Sequence, residues 1–447
     1  MTLLYILLNE HNQILMQRLT SGYAVPRPLK EVNESYGFDS PEIDNQWFYD
    51  NCRLHVFRRY VCFDNEYCIS VFEPYIYSQP TGDYRWMEYK DIINLVNQDE
   101  FIVLSNVISN YYISENVPWV NFDGFKPYFD WVNTVAETQN FSIMGTIRQI
   151  KNTYVSSLFV MPTSIGDLYL KIPATIYLND IVSTEYFWSK EISNIPNFMS
   201  ISPNKRAYLT KNMCGTDLPS ENDADIYKYI VKRWGKMQQG FTLSDKRFKD
   251  KLLHLHDYTP RKILSSLDKF INQVIFLFEY IKKPLAKEVI VKFTSRVSDA
   301  EDLLDLLCTF NIPNTLCHGD MRPGNIRRID GEFKLYDWGM SIYSHPFYDI
   351  THFLHVVRRQ LSDKEKSSVV HAYLSEWDSC ESVENLTAAY ALIEQLTDFF
   401  MAYQDFQWLM EILQICNNNI VKYSMDDWLF SRRLYYFSKV FDRFINT

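Results

Sequence analysis

Strand-forming runs come first in this chain, and helix-forming runs come second. Short stretches rich in Val, Ile, Leu, Tyr and Phe, such as 54–63 and 155–161, recur through the first half and are separated by turn signals. Long amphipathic stretches dominate from 221–239 onward. Because strands and helices are segregated rather than alternating, we predict an α+β chain with two lobes, a small antiparallel-sheet lobe and a larger, mainly helical one.

The length of the chain indicates more than one domain. At about 150 residues per domain, 447 residues correspond to two or three. We predict a small α+β N-terminal domain over 1–135, a sheet-containing lobe over 136–215 and a helical lobe over 216–447. Apolar residues make up 47% of the chain and charged residues 22%, so a large core can be buried and the composition is not that of a disordered protein.

Charge and cysteine usage restrict the partners and the location. The net charge of -10 argues against a surface built for nucleic-acid phosphates or anionic lipid. Eight cysteines are scattered without a C-x-x-C pair, as is typical of reduced intracellular thiols. No apolar run approaches the ~20 residues that cross a bilayer, and the apolar N-terminal run lacks a basic lead-in. We therefore expect a cytoplasmic protein with neither a nucleic-acid nor a membrane partner.

The N-terminal stretch 5–19, YILLNEHNQILMQRL, consists of two strand-like runs joined by a polar turn. It resembles the opening of the Nudix fold, and the resemblance is confined to the N-terminal domain. A Nudix hydrolase holds magnesium with a cluster of glutamates that follows a glycine, and 29–46 lacks that spacing. We therefore expect a Nudix-like domain without hydrolase activity.

A second group of strand-like runs precedes a helix. The runs 146–150, 155–161 and 168–172 are joined by turns and predict an antiparallel meander. The segment 183–192 is helical in character, with Ser183 as its predicted N-cap.

The stretch CHGDMRPGNIRRIDGEFKLYDWG, 317–339, concentrates polar residues between apolar runs. One strand-like run leads to Asp320, Pro and Gly then turn the chain, and a second strand-like run ends at Asp337. Strands that flank a loop bring Asp320, Asn325 and Asp337 to one end of the pair. Carboxylate and amide oxygens in this arrangement suit a hard cation, usually magnesium that also carries phosphates.

These residue types match the few parts that phosphoryl transfer requires. Asp320 can orient and deprotonate an attacking hydroxyl, while Asn325 and Asp337 can hold magnesium. The third part is a cation on the nucleotide phosphates.

Lys171 fits that third part. It lies between Leu170 and Ile172 in a strand, so its side chain leaves the sheet on the face opposite theirs and needs a polar partner. Glu185, on the helix that follows, is the predicted counter-charge, and Glu191 on the same helix is the alternative.

The pattern H-G-D-x-x-x-x-N, with D-W twelve residues after the Asn, resembles the aminoglycoside phosphotransferase and choline kinase-like family. The resemblance covers residues 141–447 and implies a bilobal fold of the protein kinase type. It implies Asp320 as the catalytic base and Asn325 and Asp337 as magnesium ligands. His318 would brace the catalytic loop, and Asp349 would anchor the large lobe rather than react.

The resemblance also implies how ATP is held. The lysine contacts the phosphates, the glutamate orients it, and backbone groups of the hinge 211–215 contact adenine. The predicted phosphate-covering loop 151–157 contains no glycine, so backbone groups or serine hydroxyls would have to serve there. The predicted nucleotide-binding residues are Lys171, Glu185, Ser156, Ser157, Asn212, Met213 and Cys214.

We therefore predict transfer of the γ-phosphoryl group of ATP, with magnesium, to a hydroxyl of a small molecule. The segment 394–413 contains both acidic and aromatic residues, which suits a cationic acceptor because aromatic faces attract ammonium groups. An ordinary amphipathic helix explains the same pattern. The alternative function is a catalytically idle kinase-fold protein that binds nucleotide or a protein partner.

Overall fold

The computed structural model divides into two compact units. The first comprises residues 1–176, 198–212 and 414–429, and the second comprises 177–197, 213–413 and 430–447. The structure describes residues 2–7, 14–19, 22–24, 54–62, 67–74, 84–92, 125–145, 147–152, 155–190, 192, 194–213, 215–218, 223–241, 255–329, 331–418 and 424–446.

The first unit begins with two three-stranded sheets. In one sheet β1 pairs in parallel with β5, and β4 pairs with β5 in the antiparallel sense. In the other, β2 lies between β3 and β6, with both pairs antiparallel. The strands are β1 Thr2–Leu7, β2 Ile14–Leu19, β3 Gly22–Ala24, β4 Leu54–Cys62, β5 Tyr67–Pro74 and β6 Tyr84–Met87, followed by helices α1 Tyr89–Ile92 and α2 Lys126–Gln139.

A five-stranded antiparallel sheet completes the described part of the first unit, in the order β10-β11-β9-β8-β7. The three predicted runs of the meander become its strands β7, β8 and β9, which pair in sequence. Its members are β7 Arg148–Asn152, β8 Ser156–Met161, β9 Leu168–Pro173, β10 Phe198–Ser202 and β11 Ala207–Lys211.

Helix α2 packs on this sheet through aromatic residues. Phe125 and Phe129 meet the ring of Phe159 on β8 edge to face, with centroid distances of 4.9 and 5.3 Å. All three side chains are buried. Aromatic pairs in this geometry stabilise a core beyond the apolar area that they remove from water.

The second unit is mainly helical. Its helices are α3 Asn179–Ser189, α4 Ala224–Gln239, α5 Pro260–Leu264, α6 Leu267–Tyr280, α7 Lys287–Leu307, α8 Phe347–Val357, α9 Asp363–Leu374 and α10 Val383–Gln395, together with most of α11 Thr397–Asn418 and α12 Ser424–Asn446. Residues 414–418 of α11 and 424–429 of α12 belong to the first unit.

Two small three-stranded sheets interrupt these helices, in the orders β12-β15-β16 and β13-β17-β14. Short 3-10 turns follow the strands at Pro323–Asn325 and Trp338–Met340. The strands are β12 Thr216–Asp217, β13 His256–Tyr258, β14 Thr315–Cys317, β15 Ile326–Ile329, β16 Glu332–Leu335 and β17 Ile342–Ser344.

Trp338 forms the centre of the second unit's aromatic core. It is buried, and its ring centroid lies 4.3 Å from that of Phe187 on α3 and 5.6 Å from that of Trp234 on α4. The core therefore fixes the segment that directly follows Asp337.

The predicted α+β class, with an antiparallel sheet and a mainly helical region, is confirmed. The predicted start of the helix after β9 is wrong. That helix, α3, begins at Asn179 rather than Ser183, and Ser183 is buried in its interior, where its hydroxyl hydrogen-bonds that of Ser341 at 2.7 Å. In the described part of the chain, no helix is long and apolar enough to span a membrane.

Candidate active site

The loop after β14 depends on Gly319. Its φ of +76° is in the left-handed region, and a Cβ built there would overlap the carbonyl oxygen of Met340. Only glycine satisfies both conditions. The sequence therefore folds here into a turn that passes directly against the 3-10 turn Trp338–Met340.

Asp349, near the start of α8, holds the same loop from beneath. Its carboxylate accepts hydrogen bonds from the backbone N–H groups of His318 at 2.7 Å and Gly319 at 3.0 Å, and from Trp234 Nε1 at 3.1 Å. The side chain is fully buried, and burial raises its pKa to about 7 against the effect of these donors. Asp349 therefore anchors the loop rather than facing a substrate.

His318 lies between the loop and the aromatic core. Its ring is buried, lies 4.6 Å from the ring of Trp338 and hydrogen-bonds the carbonyl oxygen of Tyr336 through Nε2 at 3.1 Å. Burial lowers the pKa of His318, so the imidazole is favoured in its neutral form. These contacts hold the ring in place, and the role of His318 as a brace of the catalytic loop stays a prediction.

Asp320 projects from this loop and contacts Asn325. The Nδ2 of Asn325 donates to the backbone oxygen of Asp320 at 2.8 Å and to its Oδ2 at 3.0 Å. Arg322 Nε also approaches that Oδ2, at 3.1 Å. The side chain of Asp320 is 29% exposed, so a solute can reach its carboxylate.

The hairpin β15–β16 places Asn325 and Asp337 at one end. Ile326 pairs with Leu335, and the N–H of Tyr336 donates to the carbonyl oxygen of Asn325 at 3.1 Å. The charges of both Asp320 and Asp337 act on the pKa of His318, which places both carboxylates close to this ring.

The donor set suits magnesium. Asn325 uses its amide nitrogen on Asp320, which leaves its amide oxygen as a ligand, and Asp337 has the left-handed φ of 69°. A non-glycine residue in this region is held there by its surroundings. Magnesium usually takes one or two protein oxygens together with phosphates and water. No group of three or more His, Cys, Asp or Glu suitable for a metal occurs among the described residues.

Helix α3 holds the segment after Asp337, which sequence reasoning did not anticipate. Asp180 is buried, and its Oδ1 accepts the N–H of Trp338 at 3.1 Å. Asn179 Nδ2 donates to the carbonyl oxygen of Ser341 at 2.7 Å. No local pattern in 179–183 signals these long-range contacts, because each partner lies more than 150 residues away.

Lys171 and Glu185 belong to different units. Lys171 lies in β9 with its side chain partly exposed between the buried Leu170 and Ile172, as predicted, and its Nζ lies 6.0 Å from the ring centroid of Tyr208. Glu185 is partly buried in α3. Their pairing stays a prediction, and the alternative Glu191 lies outside the described residues.

The loop position predicted for Ser156 and Ser157 is corrected by the structure. Both lie in β8 and are buried, and the Ser157 hydroxyl accepts a hydrogen bond from Gln149 Nε2 at 2.8 Å. Strand pairing with β7 and β9 fixes their backbone, so neither residue lies in a loop that could cover phosphates.

The predicted hinge contains the division between the two units. Asn212 is exposed, and its N–H donates to the carbonyl oxygen of Asp167 at 3.0 Å in the first unit. The carbonyl oxygen of Met213 accepts from Arg327 Nη1 at 2.9 Å in the second. Cys214 lies outside the described residues.

A buried carboxylate on α11 lies within electrostatic range of Asp320. Burial raises the pKa of Asp405, Arg433 opposes that shift, and the charge of Asp320 adds to it. Arg433 Nη1 donates to Asp405 Oδ1 at 3.2 Å, and its Nη2 donates to the hydroxyl of Tyr177 at 2.7 Å.

Glu411 lies six residues after Asp405 on α11, beside an aromatic group. Its Oε1 is 3.3 Å from His256 Nδ1, and burial raises the pKa of Glu411 to about 7 while it lowers that of His256 to about 4. The ring of His256 lies 4.8 Å from that of Trp408. The hydroxyl of the buried Tyr258 has no hydrogen-bond partner in the part of the chain that the structure describes.

Comparison with known protein families identifies the segment that contains this site. Residues 246–383 match the model of the APH family, described as a phosphotransferase enzyme family. Over this segment the chain is similar to that phosphotransferase family. The resemblance predicted from the H-G-D-x-x-x-x-N and D-W pattern is thereby confirmed, whereas the Nudix-like N-terminus stays a prediction.

Solved structures similar to this chain include kinases and phosphotransferases of small molecules. They include ethanolamine kinase of Plasmodium vivax (15% identity, TM-score 0.49, covering 77% of this chain and 94% of that one). Another is the GDP complex of aminoglycoside 2'-phosphotransferase-IIIa (14%, 0.47, 70% and 98%). A third is choline kinase LicA of Streptococcus pneumoniae (13%, 0.44, 70% and 99%). At these scores the likeness carries no argument about the reaction. No curated protein matches the sequence.

Proposed function

We propose that the chain transfers the γ-phosphoryl group of ATP to a hydroxyl of a small molecule. The observation that carries the proposal is the contact of Asn325 with Asp320, at the end of the hairpin where Asp337 also lies. This arrangement supplies a reachable carboxylate base beside two oxygen ligands. It occurs within the segment that matches the phosphotransferase family.

Asp320 takes the proton of the acceptor hydroxyl. Asp349 and Gly319 fix the backbone that carries it, and Asn325 fixes the carboxylate, so the base needs little reorganisation to act. Such positioned proton acceptors contribute about 10²- to 10⁴-fold to rate.

Magnesium, held by Asn325 and Asp337, would neutralise the phosphate charge that builds up during transfer. The assignment of Lys171 to the ATP phosphates, with Glu185 as its counter-charge, rests on the sequence resemblance. So does the assignment of Asn212, Met213 and Cys214 to adenine. A cytoplasmic location, inferred from the cysteine pattern, belongs to the same proposal.

The acceptor is proposed to be cationic. Asp405 and Glu411 project from α11, Asp405 within electrostatic range of Asp320, and the aromatic side chains of Tyr258 and Trp408 accompany them. An ammonium group gains from both carboxylates and aromatic faces. Hydroxyl-bearing amines, such as amino alcohols and aminoglycosides, combine the nucleophile with this charge.

A phosphate-transfer screen tests the proposal. The purified chain is incubated with ATP and magnesium against panels of aminoglycosides, amino alcohols, sugars and nucleosides, and a mass gain of one phosphoryl group is read on the acceptor. We expect transfer to hydroxylated amines, and loss of about 10³-fold in rate for Asp320→Asn.

Asp378→Asn is the matched control, because this carboxylate is exposed and lies outside the catalytic loop. It should retain wild-type activity. ATP binding without transfer to any acceptor class would favour the idle kinase-fold alternative, and wild-type turnover by Asp320→Asn would overturn the assignment of the base.

A further inference from the structure

Arg322 forms an ion pair with the proposed catalytic base itself. Its Nε lies 3.1 Å from Asp320 Oδ2, the same oxygen that accepts from Asn325 Nδ2 at 3.0 Å. Oδ2 therefore has one hydrogen-bond donor, Asn325, and one ion-pair partner, Arg322. Within the described part of the chain, Oδ1 of Asp320 accepts no hydrogen bond, so it is the oxygen available to the acceptor hydroxyl.

The contact uses only one edge of the guanidinium. Among the described residues, neither Nη1 nor Nη2 of Arg322 has a hydrogen-bond partner, and the side chain is 50% exposed. A guanidinium is planar and presents its donors as a rigid fork. Because Nε forms an ion pair with Asp320, the two terminal nitrogens lie near the proposed base on a half-exposed side chain.

The backbone that carries Arg322 is fixed from both sides. The carbonyl oxygen of the preceding Met321 is hydrogen-bonded by His352 Nδ1 at 3.2 Å, and Met321 is buried. The carbonyl oxygen of Arg322 accepts the N–H of Asn325 at 2.9 Å. An ion pair made by an arginine on a mobile surface loop stabilises a protein little, whereas the backbone of Arg322 is held by these hydrogen bonds.

The position of the fork matches the place where charge develops in the proposed reaction. An acceptor oxygen bonded to Asp320 Oδ1 must approach the γ-phosphorus to about 3 Å in a near-attack geometry. The non-bridging phosphoryl oxygens then lie next to the guanidinium. Arginine pairs with phosphate oxygens through two parallel N–H···O bonds.

We propose that Arg322 is a catalytic residue that binds the γ-phosphoryl group during its transfer. This inference rests on the proposed function. The acceptor oxygen forms a bond to the γ-phosphorus, and the bond from that phosphorus to the β–γ bridging oxygen breaks. The electron pair leaves with ADP, and the acceptor proton moves to Asp320 Oδ1. Arg322 exchanges no proton and stabilises the negative charge on the non-bridging oxygens.

A purely structural role predicts a different outcome. If Arg322 only orients Asp320, its loss lowers the rate of transfer and leaves the affinity for both nucleotides unchanged. If it contacts the transferred group, its loss weakens ATP binding but not ADP binding, because only ATP carries the γ-phosphoryl group. The ratio of ATP affinity to ADP affinity therefore distinguishes the structural role from the catalytic one, and its measurement needs no acceptor.

The test compares wild type, Arg322→Ala, Arg322→Lys and Arg328→Ala by titration calorimetry with ATP and with ADP, both with magnesium. Arg328 is the matched control, because it is exposed like Arg322 but lies on β15, outside the catalytic loop. We expect Arg322→Ala to lose about tenfold in ATP affinity, with ADP affinity unchanged. Turnover should fall by about 10²-fold or more, with Arg322→Lys intermediate, because lysine keeps the charge without the fork.

An unchanged ratio of ATP to ADP affinity in Arg322→Ala, with the wild type binding both nucleotides and transferring phosphate, overturns the role of Arg322 alone. Absence of nucleotide binding by the wild type overturns the proposed function and this inference with it. Circular dichroism of each variant, superimposable on the wild type, establishes that the loss is local.

Discussion

The carboxylate of Asp349 accepts the backbone N–H of Gly319 at 3.0 Å, so a buried charge on α8 fixes the turn from which the proposed base projects. A second oxygen of the same group accepts the N–H of His318 at 2.7 Å. The orientation of Asp320 therefore depends on a residue that never meets substrate.

Asp349→Asn should destabilise the second unit and reduce turnover together. An amide can still accept one N–H, but its own NH₂ then faces the other donor, which leaves a buried N–H without a partner. We expect a loss of about 2–4 kcal/mol in the free energy of unfolding. Urea denaturation measures this loss, with Asp378→Asn as the exposed control. Unchanged stability would contradict the anchoring role.

Gly319→Ala should abolish activity, whereas Gly331→Ala should not. Both glycines have positive φ, +76° and +84°, so both substitutions carry backbone strain of about 1 kcal/mol. Only at Gly319 would the new Cβ overlap a carbonyl oxygen, since Gly331 has no heavy atom within 4 Å of that position. Thermal denaturation and a transfer assay on both variants check this. Equal effects at the two sites would show that backbone strain alone accounts for the loss of stability and activity.

The sequence was sufficient for the order of the elements and for the local part of the site. Three strands of the five-stranded sheet, β7 to β9, and the hairpin between Asn325 and Asp337 follow from alternation and turn residues, which are local signals. Lys171 leaves the sheet opposite its buried neighbours because side chains alternate along a strand.

The parts that the sequence did not reveal depend on contacts between distant residues. Ser183 has the chemistry of an N-cap, yet a hydrogen bond to Ser341 places it inside α3. Asp180 accepts the N–H of Trp338 across a comparable separation. Propensity describes the cost of a local conformation and cannot indicate such a partner.

His345 should make the protein less stable in acid. Burial lowers its pKa to about 3, whereas an unfolded histidine titrates near its ordinary value of 6.5. Below pH 6.5 the unfolded chain therefore binds a proton that the folded chain does not, so stability is full above that pH and falls as the pH decreases toward 3. The contribution is about 1.4 kcal/mol per pH unit.

The measurement is the free energy of urea unfolding at pH 7 and pH 5 for the wild type and His345→Gln. The variant should show a smaller pH dependence, by about 2 kcal/mol between the two values. His371→Gln is the control, because this histidine is exposed. Identical pH dependence in the wild type and His345→Gln would exclude His345 as the titrating group.

Glu411 should make the binding of a cationic acceptor depend on pH. Its pKa is raised by burial to about 7, so the carboxylate is protonated below that pH and charged above it. Only the charged form attracts an ammonium group, and KM for a cationic acceptor should therefore fall as the pH rises from 6 to 8. Neutral His256 can donate to Glu411 throughout this range, because its own pKa is lowered to about 4.

Glu411→Gln should remove this pH dependence of KM for the cationic acceptor. Steady-state kinetics at several pH values measure KM for the wild type and the variant, with an uncharged hydroxyl acceptor as the control. A KM for the cationic acceptor that varies with pH equally in the wild type and in Glu411→Gln would assign the dependence to another group.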